Sequence, residues 1–357
     1  MDTTNPIRDN PSKPPTLRQP PLPKKARILV VGSLNWDTIE EHDRLPTPNN
    51  QSTLLQTSEI PGGHGFNQTV ACVRLSNRKP PPEGSPSPLP YGLKLRVKMI
   101  GRVGNDKEGQ KMKDQLERLG VDVSQIHDKT SKAKTGSARI YVDHRGASIT
   151  SDTAGANNEF LPDDLPDFET EQKDLGVDMV LIQMEMPEET VIEAVSRIKA
   201  LSTPVPIVLN AAPARTTQIP LDLYKVDHLI MKAPRVDRLM GVSAEEMDLD
   251  EKGCGRKTTK EYIDFCKQCI RRGARCAIVT MGERGAVAVG TQGGYQSTEF
   301  YIAAQRLHGH DRPVDTTGAS DVFVGAYVVE LLRQKKTGVP EDIYAAVKKG
   351  STLADLQ

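Results

Sequence analysis

Four short runs of the chain are apolar without a break: 28–31, 179–182, 207–209 and 277–279. Strands buried on both faces read this way, because neither row of side chains meets water. Five other segments, 106–119, 188–200, 258–272, 319–334 and 340–355, carry apolar residues at helical spacing and flank these runs. Strand and helix in alternation predict an α/β fold, a mostly parallel sheet sandwiched by helices. Two stretches, 135–143 and 147–152, instead alternate apolar and polar residues, as a strand with one wet face does. With 37–41 and 53–60 they predict a small second β-sheet. Ligands of a parallel sheet bind beyond the carboxyl ends of its strands, where Asn35, Asp37, Glu185, Asn210 and Thr280 fall.

Two segments lack any such pattern. Residues 1–26 include Pro14, Pro15, Pro20, Pro21 and Pro23, which predicts a disordered tail. It has neither the apolar core of a signal peptide nor the character of an amphipathic transit helix. Residues 77–92, with Pro80, Pro81 and Pro82, predict a loop between a helix and the next strand. The remainder, 27–357, reads as one domain.

Composition narrows the function classes. A chain of 357 residues can bury one large core. Its 47 Lys and Arg balance 47 Asp and Glu, so no field draws nucleic acid or an anionic membrane surface. No apolar run approaches a membrane span. The five cysteines are few and unevenly spaced for a disulfide framework, which suits the cytoplasm, with the nucleus as a second location. Cys266 and Cys269 form a C-x-x-C, yet they lie within a helical pattern and no second pair accompanies them. They read as two thiols on a helix face.

The chemistry sits in two glycine-bearing turns. Asp315-Thr316-Thr317-Gly318-Ala319-Ser320-Asp321 leads straight into an apolar helix. Such a helix start leaves N–H groups pointing outward, where the dipole favours an anion, and the small residues let a ligand approach. Asp321 then lies beside that anion. Like charges repel, so a carboxylate there serves better as a base that takes a proton from a hydroxyl attacking a phosphoryl group. The alternative is a capped helix without a ligand. Upstream, Gly62-Gly63-His64-Gly65-Phe66-Asn67 enters another apolar helix. Its adjacent glycines permit φ > 0 and close backbone approach, and Asn67 can hydrogen-bond a hydroxyl.

With both motifs in this order, the chain from Arg27 onward resembles the ribokinase-like (PfkB) family of carbohydrate kinases, nearest to its ribokinase branch. One family signature is Gly-Gly followed by Asn four residues later; the other is Asp-Thr-x-Gly-Ala-Gly-Asp. Shorter matches follow in the family's order: Val31 through Asp37, Gly101 through Asp106, Thr135-Gly136, Gly155-Ala156-Asn157, Gln183-Met184-Glu185, Ala212-Pro213 and Thr280-Met281-Gly282.

The resemblance implies ATP-dependent phosphorylation of a sugar hydroxyl, D-ribose to D-ribose 5-phosphate, with another sugar or a nucleoside as alternative acceptor. Asp321 would be the base, and the N–H groups of Gly318, Ala319 and Ser320 the anion hole. Asn35, Asp37, Gly63, His64, Asn67 and Glu185 would surround the sugar. Thr280, Gly282, Gly318, Ser320 and Lys232 would face the nucleotide. The cofactors implied are Mg²⁺ and optionally K⁺, the latter at Asp315 and Thr317. The small sheet would be a lid, and a homodimer contact. Departures from the family pattern are Ser320 for glycine, His64 where lysine or another residue is usual, and Ala211 for proline. Lys232 and Arg235 replace an Asn-x-x-Glu motif that organises magnesium, and the chain stops at Gln357 within its last helix. These departures keep a second expectation open: a binding protein that retains the fold with impaired turnover.

Overall fold

The computed structural model describes residues 24–47, 49, 51–76, 93–128, 130–144, 148–213, 218–243, 254–291, 297–304 and 318–354. Elements are numbered along the chain among these. First come β1 (Lys24–Val31), β2 (Asn35–His42), β3 (Leu54–Gly62), α1 (His64–Ser76), β4 (Leu93–Arg102), α2 (Lys107–Arg118) and β5 (Asp122–His127). Next are β6 (Ser137–Asp143), β7 (Ser148–Thr153), α3 (Phe168–Leu175), β8 (Met179–Gln183), α4 (Glu188–Lys199), β9 (Ile207–Asn210), β10 (His228–Lys232) and α5 (Ala233–Leu239). The last are α6 (Thr259–Arg271), β11 (Cys276–Thr280), β12 (Ala286–Thr291), β13 (Ser297–Ile302), α7 (Ala319–Thr337) and α8 (Ile343–Ala354).

Nine strands form one sheet in the order β13-β12-β11-β10-β9-β8-β1-β4-β5. All its pairs are parallel except those that β12 makes with β11 and β13. Alternate residues of β1 explain why its apolar run is continuous. Ile28 and Val30 point into one core, with residues of α1, α7 and α8; Leu29 and Val31 point into the other, with residues of α4 and α6. Each such side chain, fully buried, contributes about 1.5–3 kcal/mol. Helix α7 is buried on nearly every side, and Gly325 lets it close on α1: a Cβ there would lie 2.6 Å from that of Ala71.

The small sheet has the order β3-β2-β6-β7, with β2–β6 parallel and its other pairs antiparallel. Every residue of β7 is exposed, as are most of β3, so the sheet stands off the body.

One boundary is corrected. Residues 24–26, expected in the tail, belong to β1: Lys24 pairs with Leu93, and Ala26 is fully buried. Sheet pairing and burial at Ala26 outweigh the prolines just upstream. The rest of that tail and the 77–92 insert lie outside the described residues, as do Asp315 and Thr317. Cys266 and Cys269 face the core, and burial pushes the Cys269 thiol up to about 12. No helix among the described residues is long and apolar enough to cross a membrane.

Candidate active site

The turn after β1 and the turn before α1 lock together through backbone. Phe66 N–H donates to Ser33 O at 3.0 Å. A Cβ on Gly65 would meet Ser33 O at 2.6 Å, so no larger residue fits. Gly63 adopts φ +86°, open to glycine at little cost. Close approach of the two turns brings three polar side chains to one place.

Glu185, just beyond β8 and 7 % exposed, is the hub. Its carboxylate accepts from the Ser33 hydroxyl in a short contact, from His64 N–H at 3.0 Å and from Asn35 Nδ2 at 3.3 Å. Asn157 in turn donates to Asn35 Oδ1 at 2.7 Å and brackets the Leu34 backbone, accepting from its N–H at 2.9 Å. Sequence offers Asn157 only as part of a short match, without a role. Nearby, Asp37 accepts from Ala138 N–H at 2.8 Å. Gly62 leaves room for it, since a Cβ there would sit 1.9 Å from Asp37 Oδ2. Burial pushes the Asp37 carboxyl up to about 6; Glu185 adds to this, while the Ala138 N–H and His64 oppose it.

A third carboxylate enters from α7. Asp321 is 3 % exposed, and its oxygens accept from His64 Nδ1 at 2.9 Å, Gln68 Nε2 at 2.9 Å and Asn67 Nδ2 at 3.2 Å. Asn67, expected to reach a hydroxyl, thus holds the carboxylate that would act on one. Nothing in the sequence pattern marks Gln68 except its place one residue past Asn67. Burial alone would raise the Asp321 carboxyl, but His64, Gln68 and Lys232 outweigh it and hold it below its usual range. Asp321 is therefore ionised at neutral pH.

The start of α7 fits an anion. The N-cap residue, Gly318, takes the left-handed conformation at φ +78° and has no side chain to cap the helix. Its carbonyl accepts from the Asp321 and Val322 N–H groups, while Ala319 and Ser320 are only half buried.

Along the same sheet rim, Asn210, Lys232 and Thr280 end β9, β10 and β11, and Lys232 is in register with Thr280. Gly282 opens the following turn at φ +53°. Lys232 is exposed, and its charge acts on both His64 and Asp321. Arg235 does not join it. One turn into α5, it is buried to 3 %, and its guanidinium interacts with Tyr224 and Glu188 instead. Lys232 is thus left exposed at the rim while Arg235 is buried in the body.

Comparison with known proteins addresses the family and the fold. The model for "pfkB family carbohydrate kinase" matches residues 25–357. A ribokinase of Bacillus subtilis is 31 % identical, the match covering 92 % of each chain. The structure of ribokinase from Giardia lamblia superposes with a TM-score of 0.72 at 23 % identity, over 92 % of each chain. That of Arabidopsis thaliana ribokinase complexed with ribose and ATP gives 0.67 at 22 % identity, over 94 % of this chain and 92 % of that one. A family model that runs from the second residue of β1 to Gln357, over a sheet and helix-start carboxylate of this kind, makes the chain a member of the pfkB family of carbohydrate kinases.

Proposed function

We propose that the protein is a ribokinase, transferring the γ-phosphoryl of ATP to the primary hydroxyl of D-ribose. One observation carries this: a buried Asp321, its carboxyl held below the usual range, in the first turn of a helix whose N-cap is Gly318, which has no side chain. A phosphoryl group held on the N–H groups of Gly318, Ala319 and Ser320 would then lie beside a base. Asp37 and Glu185 suit a polyol, since carboxylates accept from vicinal hydroxyls. Asn35, Gly63, His64 and Asn67 complete the wall of that pocket. The ribokinase of Bacillus subtilis and the Arabidopsis complex with ribose and ATP support the choice of substrates. Thr280, Gly282, Ser320 and Lys232 line the rim where nucleotide would extend. A coupled ATPase assay across ribose, deoxyribose, fructose and nucleosides tests the assignment; preference for a nucleoside would replace ribose as the acceptor.

Magnesium does not fit the place where the sequence pattern puts it. Lys232 and Arg235 offer no acceptor to a hard cation, whose ligands are oxygens. Lys232 can neutralise phosphate directly as a point charge. Nucleotide binding should therefore survive chelation of Mg²⁺ with little loss, and Lys232→Asn should make it magnesium-dependent; calorimetric titration with and without the metal checks this. Brisk turnover with ordinary magnesium dependence in the unaltered protein would show that oxygens elsewhere hold the metal. It would also weaken the case for a fold-retaining binding protein, for which Lys232 and Arg235 are part of the argument. A K⁺ site at Asp315 and Thr317 remains part of the proposal.

Asp37 gives ribose binding a pH dependence. Sugar hydroxyls donate to its ionised form, so binding favours loss of the proton that the free protein holds to about pH 6. Affinity should rise about tenfold as the pH climbs through that value and then level off. Asp37→Asn should flatten the curve; an unchanged curve would place the titrating group elsewhere.

The small sheet would close over the sugar and exclude water from the transfer. It also exposes Leu54, Leu55 and Ile149, at 50 %, 63 % and 45 %, as a surface for a second copy in a homodimer. Light scattering of the protein and of Leu55→Glu tests that contact. Five buried free thiols suit the reducing cytoplasm.

A further inference from the structure

Among the described residues three side chains reach the Asp321 carboxylate, and two of them are amides. Asn67 and Gln68 donate N–H there and carry no charge at any ordinary pH. Gln68 is further oriented by Gln183, which donates to its carbonyl at 2.8 Å. His64 differs in kind. Its Nδ1 lies 2.9 Å from Asp321 Oδ1, and an imidazole changes charge near neutrality. Its side chain keeps 21 % of its surface, against 4 % for Asp321, so protons can reach it from the cleft. The His64 backbone is anchored separately, through its N–H to Glu185 at 3.0 Å. The ring is thus presented to Asp321 by contacts that do not depend on the ring.

We propose that His64 is a positioning residue that sets the basicity of Asp321, making it a weak base beside imidazolium and a stronger one beside neutral imidazole. This rests on Asp321 being the base of the proposed reaction. In either charge state Nδ1–H can donate, so the carboxylate stays in place and only the neighbouring charge changes. A full positive charge at that distance lowers a carboxylate's proton affinity by about 1–3 pKa units. A base that holds protons less well takes them more slowly. When the ring becomes neutral that penalty lifts while the hydrogen bond remains.

Groups on four elements face the ring. Asp321 on α7, Glu185 beyond β8 and Asp37 on β2 are carboxyl groups; Lys232 at the end of β10 is a cation. Burial works against the imidazolium, but Asp321 and Glu185 outweigh it, with Lys232 opposing, and the ring titrates above its ordinary value. Phosphates bound in the cleft would push in the same direction. Turnover should therefore gain a limb that rises with pH above the range of a free histidine.

Two measurements test this. NMR titration of the ring, assigned with His64→Gln, should move its midpoint down by about one unit in Asp321→Asn. Steady-state kinetics across pH should show turnover rising about tenfold through that midpoint in the unaltered protein, and His64→Gln should lack the limb. An unmoved midpoint in Asp321→Asn overturns the pairing, and it does so whether or not the protein phosphorylates ribose. A moved midpoint with a pH profile in His64→Gln that superimposes on the original overturns the tuning. If His64→Gln fails to fold, His64→Asn, which keeps a shorter uncharged donor, takes its place in the kinetic arm. Absence of phosphoryl transfer to any sugar would sink the ribokinase assignment and the tuning with it, while the midpoint shift would still decide whether the two side chains are paired.

Discussion

Asp321→Asn should lower turnover by about 10²–10⁴-fold, the usual contribution of a positioned base. Asparagine keeps the size of the side chain and one acceptor oxygen, so the bond from Gln68 can persist. What it loses is the charge that draws a proton from the attacking hydroxyl. The site explains why little else should change. Asp321 is approached by His64, Asn67 and Gln68 from α1, whose backbone is held by Ser33 and Gly63 independently of it. Ribose affinity should accordingly shift far less than turnover. Single-turnover kinetics alongside ribose titration separate the two, and an Asn variant with undiminished turnover would falsify the assignment of the base.

Glu185→Ala and Asp37→Ala should part company, although both carboxylates face the same proposed sugar. Removing the Glu185 carboxylate strands the Ser33 hydroxyl, the Asn35 amide and the His64 N–H, all held by it in the folded protein. A buried donor left without a partner costs about 1–3 kcal/mol, so the variant should lose several degrees of Tm as well as ribose binding. Asp37 accepts from one backbone N–H of the small sheet, and its burial already disfavours its charge. Asp37→Ala should weaken ribose binding by roughly 1–3 kcal/mol with much less loss of stability. Thermal melts and titration with ribose and with an ATP analogue check this. Equal destabilisation of both variants would mean that Asp37 is structural.

The sheet and its covering helices were legible from the chain because burial on both faces demands unbroken apolar runs, as in β8 and β9, where every residue is buried. The small sheet was legible from alternation in its sequence, although in the fold every residue of β7 and most of β3 are exposed on both faces. β1 begins four residues before its apolar run at 28–31, since pairing with β4 acts across the chain and leaves no local mark at Lys24. Asp321 and the Gly62-Gly63 turn stood out because a helix start rich in small residues and a double glycine have few other uses.

Residue types and their spacing thus determined the α/β class, the strand ends where the proposed site lies and the carboxylate at the start of α7. These follow from periodicity and from the backbone freedom of glycine, which are local properties. Tertiary structure alone decided what that carboxylate meets. His64 and Gln68 lie 257 and 253 residues from Asp321 along the chain, and only the docking of α1 against α7 brings them within hydrogen-bonding distance. It likewise made Glu185 a brace, through donors 150, 152 and 121 residues away, and buried Arg235 while leaving Lys232 exposed. A hydrogen bond acts over about 3 Å of space whatever the distance in sequence, so such partnerships become visible only once the chain has folded.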